Sequence, residues 1–199
     1  MAYIGSIITG FYLFASAPGF HKREKWQHLT GWDYAHRGLH DNEHGIPENS
    51  MAAFQRAVDK GYGIELDVHL TADNQLVVFH DDTLTRMCGI NKKISGFLYS
   101  YLQQLRLLGT GEGIPLFKDV LALVDGKVPL IIELKVDGSN QNLLCPLVWQ
   151  LLSGYKGSYC IESFHPFVLQ WFKRHQPQVV RGQLSCNFFK ENPHCDIVL

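Results

Sequence analysis

Apolar runs of β type alternate along this chain with stretches of helix type, and this alternation restricts the fold more than any other feature. Residues 33–36, 63–70, 76–80, 128–135, 158–163 and 179–184 read as strands. Helix signals fall between them, at 50–60, 100–107, 116–123, 140–152 and 166–175. The clearest is 50–60: Asn49 or Ser50 offers a cap, Phe54, Ala57 and Val58 form an apolar face, and Gly61 stops the helix. Strand–helix alternation predicts an α/β fold, a parallel sheet with helices outside. One step departs from it. The connection from Val68 to Val77 is too short for a crossover helix, so a tight loop around Ala72-Asp73-Asn74 must serve there.

About six strands are legible, whereas a closed eight-stranded barrel typically takes about 250 residues and this chain has 199. The sheet is therefore expected to be open or the chain to stop early. The ending at 192–199 reads like the start of another strand, which favours C-terminal truncation.

A composition of 46% apolar and 19% charged residues is ordinary for a globular domain and suffices for a core. A net charge of −1 provides no long-range attraction for nucleic acid, and no such partner is expected. The five cysteines, at 88, 145, 160, 186 and 195, are odd in number, include no C-x-x-C and show no zinc-site spacing. They read as small buried hydrophobes of a reducing compartment.

Residues 1–20 carry no charged side chain, and 4–17 reads IGSIITGFYLFASA. His21-Lys22-Arg23-Glu24-Lys25 follows at once. A secretory signal carries its positive charge before the apolar run, not after it. The expectation is a single membrane anchor over 1–20, near the short end of the roughly 20 residues a span needs. A basic junction over 21–32 and a domain over 33–199 follow, the latter kept cytoplasmic by the positive-inside bias. Ala15-Ser16-Ala17 resembles a cleavage site, so secretion is the alternative; a buried terminal helix is another.

Chemistry-bearing residues gather at the predicted strand ends, where barrel enzymes keep their sites. Tyr34-Ala35-His36-Arg37-Gly38 ends an apolar approach in a basic pair. In Ile64-Glu65-Leu66-Asp67-Val68 the two carboxylates project to one face between apolar neighbours. Two ionised carboxylates there repel unless a cation or hydrogen-bond donors compensate them. Val77-Val78-Phe79-His80-Asp81-Asp82 delivers a histidine to a strand end, and Leu130-Ile131-Ile132-Glu133-Leu134-Lys135 places Glu133 and Lys135 on one face. Cys160-Ile161-Glu162-Ser163-Phe164 ends in the same way, with Glu162 as a supporting hydrogen-bond partner. Glu65, Asp67 and Glu133 suit one hard divalent cation, Mg²⁺ or Ca²⁺, better than zinc. Arg37 and Lys135 beside them describe a site for a phosphate-like anion. His36 and His80 can divide proton removal from proton donation. The bland alternatives are a solvated strand face for Glu65 and Asp67, a structural ion pair for Glu133 and Lys135, and a helix cap for Asn49.

Ala35-His36-Arg37-Gly38, Pro47-Glu48-Asn49-Ser50, Glu65-Leu66-Asp67-Val68, the run from Val78 to Arg86, Glu133-Leu134-Lys135 and Glu162-Ser163-Phe164 together resemble the glycerophosphodiester phosphodiesterases. The resemblance covers roughly residues 34–184. It implies a TIM (β/α)8 barrel of the phospholipase-C-like phosphodiesterase type, incomplete here, in a membrane-attached bacterial branch. It also implies metal-dependent hydrolysis of glycerophosphodiesters to glycerol 3-phosphate and an alcohol. By position, His36 and His80 would be the acid/base pair, Glu65, Asp67 and Glu133 the metal ligands, and Arg37 and Lys135 the phosphate contacts. Glu48 and Asn49 would support the neighbouring loop. The glycerol 2-hydroxyl would attack first and water would open the cyclic phosphate. Membrane-derived headgroups or lysolipids are further small-molecule substrates in view. A phospholipase C- or D-like lipid phosphodiesterase and a non-catalytic membrane-anchored binding protein are the competing readings.

Overall fold

The computed structural model describes residues 26–186 and, as backbone, 195–198. The expected anchor over 1–20 and the start of the basic junction lie outside the described residues. Among the described residues, no helix is long and apolar enough to cross a membrane.

The chain runs β1 (Tyr34–His36), α1 (Met51–Lys60), β2 (Gly63–Leu70), β3 (Leu76–Val78), α2 (Thr85–Cys88), α3 (Tyr99–Leu102), α4 (Phe117–Val124), β4 (Leu130–Leu134), α5 (Gln141–Leu152), β5 (Tyr159–Ser163), α6 (Pro166–His175), β6 (Val180–Cys186) and β7 (Cys195–Val198). The strands form one sheet in the order β1-β2-β4-β5-β6-β7, with β3 added against β2. From β1 to β6 this path is parallel, as strand–helix alternation predicts. It is an open arc of a (β/α)8 barrel, with β1 and β7 as end strands.

Two strands run the other way. β3 folds back antiparallel along the end of β2, Val68 opposite Val78 and Leu70 opposite Leu76. The turn between them is closed by the Thr71 N–H donating to the Gln75 carbonyl and the Gln75 N–H donating to Thr71 Oγ1. The predicted strand 76–80 therefore ends at Val78, and His80 follows it in a loop. β7, within the ending expected to start another strand, pairs antiparallel with β6.

Local chemistry accounts for the elements. Ser50, not Asn49, caps α1, its Oγ accepting from the Ala53 N–H at 3.1 Å. Gly61, left-handed at φ 72°, ends it. The apolar side chains of β2 and β4 (Ile64, Leu66, Val68, Leu130, Ile132, Leu134) are buried in one cluster with Phe54 and Ala57 of α1, Val120 and Val124 of α4, Val148 of α5 and Phe172 of α6. Strand alternation then commits Glu65, Asp67 and Glu133 to the opposite, inner face.

The predicted helix 100–107 is a correction. Only one turn forms, α3, followed by a 3-10 turn at Leu107–Gly109 with Leu108 left-handed at φ 51°. The reason lies in packing. Leu102, Leu107 and Ile114 join Val77, Phe79, Leu84, Met87 and Ile94 in a small separate core. A tight cluster of that kind needs an irregular chain, not a straight helix lying on the sheet.

The turn after β1 depends on Gly38. Its φ of 80° is left-handed, and a Cβ there would stand 2.9 Å from Ala53 Cβ and 3.0 Å from Phe54 Cδ1 on α1. Left-handed strain costs roughly 1–2 kcal/mol and overlap in a packed core roughly 1–3 kcal/mol. Gly38→Ala should lower unfolding free energy by about 2–5 kcal/mol at an unchanged denaturant slope, read by urea titration.

Candidate active site

The register of the sheet assembles the site. His36 stands opposite Glu65, Asp67 opposite Glu133, and Glu133 opposite Glu162. One ligand oxygen from each of Glu65, Asp67 and Glu133 lies within 4.8 Å of the others. All three residues are at most 9% exposed, too dry for water to screen their repulsion.

Their titration records the conflict. Burial, then the charge of Asp67, drives the Glu65 carboxyl well above its ordinary range, with the Arg37 N–H pulling back. Burial lifts Glu133 to about 7, Lys135 opposing and Asp67 adding. Burial, then Glu133 and Asp67, lifts Glu162 to about 8. Burial works against Asp67 as well, yet Lys135, His80 and Asn49 outweigh it and hold Asp67 below its ordinary value. Carboxylates in this state hold either protons or a cation.

The residues fit a hard cation. Oxygen donors alone converge, and free lone pairs remain. Lys135 Nζ pairs with Asp67 Oδ1 at 3.0 Å. Glu162 Oε2 is buried without a hydrogen-bond partner among the described residues. Lys135 also reaches Glu133 Oε1 at 2.7 Å. The ion pair weighed as a bland reading of Glu133 and Lys135 thus forms, and it forms inside the carboxylate cluster.

Two left-handed residues hold the surrounding donors. Arg37 (φ 57°) donates its backbone N–H to Glu65 Oε2 at 3.0 Å and its guanidinium to Glu48 Oε1 at 2.8 Å. Its Nε, 3.8 Å from Asp67 Oδ2, is buried and makes no hydrogen bond among the described residues. Asn49 (φ 53°) donates its backbone N–H to the Arg37 carbonyl and its side-chain amide to Asp67 Oδ2 at 2.9 Å. Asn49 is therefore a partner of the carboxylate cluster, not a helix cap.

His36 lies at the open edge, its side chain 69% exposed and its Nε2 3.9 Å from Glu65 Oε2. Partial burial, then Arg37, lowers its pKa, with a smaller contribution from His80 in the same direction. His80 Nδ1 is 2.6 Å from Asp81 Oδ1. Asp81 in turn takes two hydrogen bonds from Arg86, at 2.8 and 2.9 Å, and Arg86 donates two to Glu48, at 2.8 and 2.7 Å. A continuous polar chain thus joins Arg37, Glu48, Arg86, Asp81 and His80. Arg86 and Asp81 were given no role by sequence reasoning. Their signal was their spacing of five in His80-Asp81-Asp82-Thr83-Leu84-Thr85-Arg86, which only a folded loop converts into a contact.

Residues 36–188 match the glycerophosphoryl diester phosphodiesterase family. The chain belongs to this family. Over 165 residues it is 36% identical to lysophospholipase D GDPD1 of Rattus norvegicus, covering 76% of this chain and 50% of that protein. Over 163 residues it is 40% identical to a glycerophosphodiester phosphodiesterase of Caldanaerobacter subterraneus subsp. tengcongensis, covering 75% of this chain and 65% of the relative. The chain thus spans about half the length of the rat relative. Among solved structures, an Oleispira antarctica phosphodiesterase in complex with the product sn-glycerol-3-phosphate superposes with a TM-score of 0.72 at 25% identity, over 80% of this chain and 67% of that one. A glycerophosphodiester phosphodiesterase from Parabacteroides distasonis superposes with a TM-score of 0.67 at 32% identity, over 76% of this chain and 64% of that one. The family's barrel accounts for the open arc described above.

Two outcomes test the electrostatics. Mg²⁺ or Ca²⁺ at about a hundredfold excess over its Kd should stabilise the protein by about 2.7 kcal/mol, raising Tm by several degrees in a thermal melt. Asp67→Asn should abolish most of that rise. Glu48 is held at about 2 instead of 4.5, since Arg86 and Arg37 outweigh its burial. A depressed carboxylate stabilises above its unfolded pKa and loses that contribution as pH falls through its folded pKa. The destabilisation by Glu48→Gln, about 1–3 kcal/mol at pH 7, should therefore shrink between pH 4.5 and 2 in paired denaturant titrations.

Proposed function

We propose that this chain hydrolyses glycerophosphodiesters to glycerol 3-phosphate and an alcohol, with a divalent cation held by Glu65, Asp67 and Glu133. The observation that supports it most is the convergence of those three buried carboxylates beside a buried Arg37 Nε–H that makes no hydrogen bond among the described residues. A buried donor left without an acceptor costs free energy, which a phosphate oxygen would recover.

When bound, the cation supplies charge neutralisation and polarisation of the phosphoryl group. Arg37 donates to a phosphate oxygen, and Lys135 brings a second positive charge on a flexible stem. His80 has Nδ1 committed to Asp81, which leaves Nε2 to face substrate. His36, largely exposed beside Glu65 at the open edge, is the second imidazole. One imidazole takes the proton of the attacking glycerol 2-hydroxyl while the other donates a proton to the leaving alcohol, and with those roles reversed water opens the cyclic phosphate to glycerol 3-phosphate.

Hydrolysis of glycerophosphocholine should stop with EDTA and return with Mg²⁺ or Ca²⁺. His36→Ala and His80→Ala should each lower kcat/KM by about 10²–10⁴-fold, with the far-ultraviolet spectrum unchanged. Activity that survived both EDTA and His36→Ala would rule this mechanism out. A second reading takes lysophospholipids as substrates, favoured by the 36% identity to the rat lysophospholipase D. A higher kcat/KM on lysophosphatidylcholine than on glycerophosphocholine would select it.

A further inference from the structure

His69 lies on the same strand face as Glu65 and Asp67, two residues beyond the latter on β2. No role was assigned to it from sequence. It is 2% exposed, and its Nε2 lies 3.2 Å from the backbone carbonyl oxygen of His80. A carbonyl oxygen only accepts, so Nε2 carries the hydrogen and donates it.

The loop carrying His80 is tied to β2 at two successive inner-face positions. The Phe79 N–H donates to the Asp67 carbonyl at 2.9 Å, and His69 holds the next residue through its side chain. Asp81 orients the His80 ring through Nδ1, but it belongs to the same loop and moves with it. The ties to β2 hold the loop's backbone directly against the strand that carries Glu65 and Asp67, while the relay through Asp81, Arg86, Glu48 and Arg37 reaches the cluster by a longer route. We infer that His69 is a positioning residue: its Nε2–H clamps the His80 backbone so that the His80 imidazole stays in register with the carboxylate cluster. This rests on the function proposed above for His80. The physical requirement is alignment, since a misplacement of about 1 Å in a reacting group can lower turnover about a hundredfold.

The test compares His69→Leu, which removes the donor at similar volume, with His69→Gln, whose amide keeps an N–H on a comparable reach. Both are assayed on glycerophosphocholine in the intact protein with saturating Mg²⁺, together with thermal melts. His69→Leu should lower kcat by about 10–100-fold while KM moves less than about threefold. His69→Gln should recover most of the loss. A Leu variant that melts earlier yet keeps kcat would assign His69 to packing and overturn the inference. So would a Gln variant as slow as Leu. A measurement independent of turnover is ¹⁵N–¹H correlation of the His69 ring: the Nε2-protonated tautomer is expected, and the Nδ1-protonated one excludes the clamp. If His80→Ala is as active as the wild type, the functional reading falls and this inference with it. A strong dependence on His80 beside a fully active His69→Leu overturns the inference alone.

Discussion

The repulsion among Glu65, Asp67 and Glu133 organises the rest of this molecule. Three carboxylates held within 4.8 Å in a nearly dry setting are unfavourable unless opposing charge is placed against them. The chain supplies that charge from separate elements: the Arg37 backbone and guanidinium from the turn after β1, Asn49 from the residue before the α1 cap, and Lys135 from the end of β4. Each compensating group faces the inner side of the sheet because its strand or turn leaves it no other direction.

Compensation reaches outward in layers. Arg37 is held by Glu48, Glu48 by Arg86, and Arg86 leads through Asp81 to His80. The network couples the turn after β1 to a loop more than forty residues later in the chain. A separate small core of Phe79, Leu84, Met87 and Ile94 anchors that loop beneath it. The left-handed conformations of Arg37 and Asn49 belong to the same design. Non-glycine residues in that region carry strain, and they persist where the surrounding contacts over-determine them.

Several residues were readable in advance for physical reasons. Strand alternation alone places Glu65 and Asp67 together, because a two-residue period admits no other arrangement once Ile64, Leu66 and Val68 are core. Helix α1 is marked by its apolar face and by Gly61. Elsewhere local signals were ambiguous. Asn49 and Ser50 are both good caps, and only the reach of Asn49 to Asp67 separates them. Residues 100–107 have helical periodicity, yet their apolar side chains turn into a private core. The apolar run through Phe79 continues past Val78 in sequence, but its pairing with β2 stops there.

The sequence by itself determined the α/β alternation, the inward placement of the carboxylates and the candidate site residues His36, His80, Glu65, Asp67, Glu133, Arg37 and Lys135. These follow from local period and residue chemistry, or from motifs written in consecutive positions. Only the tertiary structure decided how His80 is placed: just past an antiparallel hairpin, with Asp81, Arg86, Glu48 and His69 around its loop. Those contacts join positions up to 38 residues apart. Hydrogen-bond partners at such separations are chosen by where the folded backbone brings them, and no period in the chain encodes that choice.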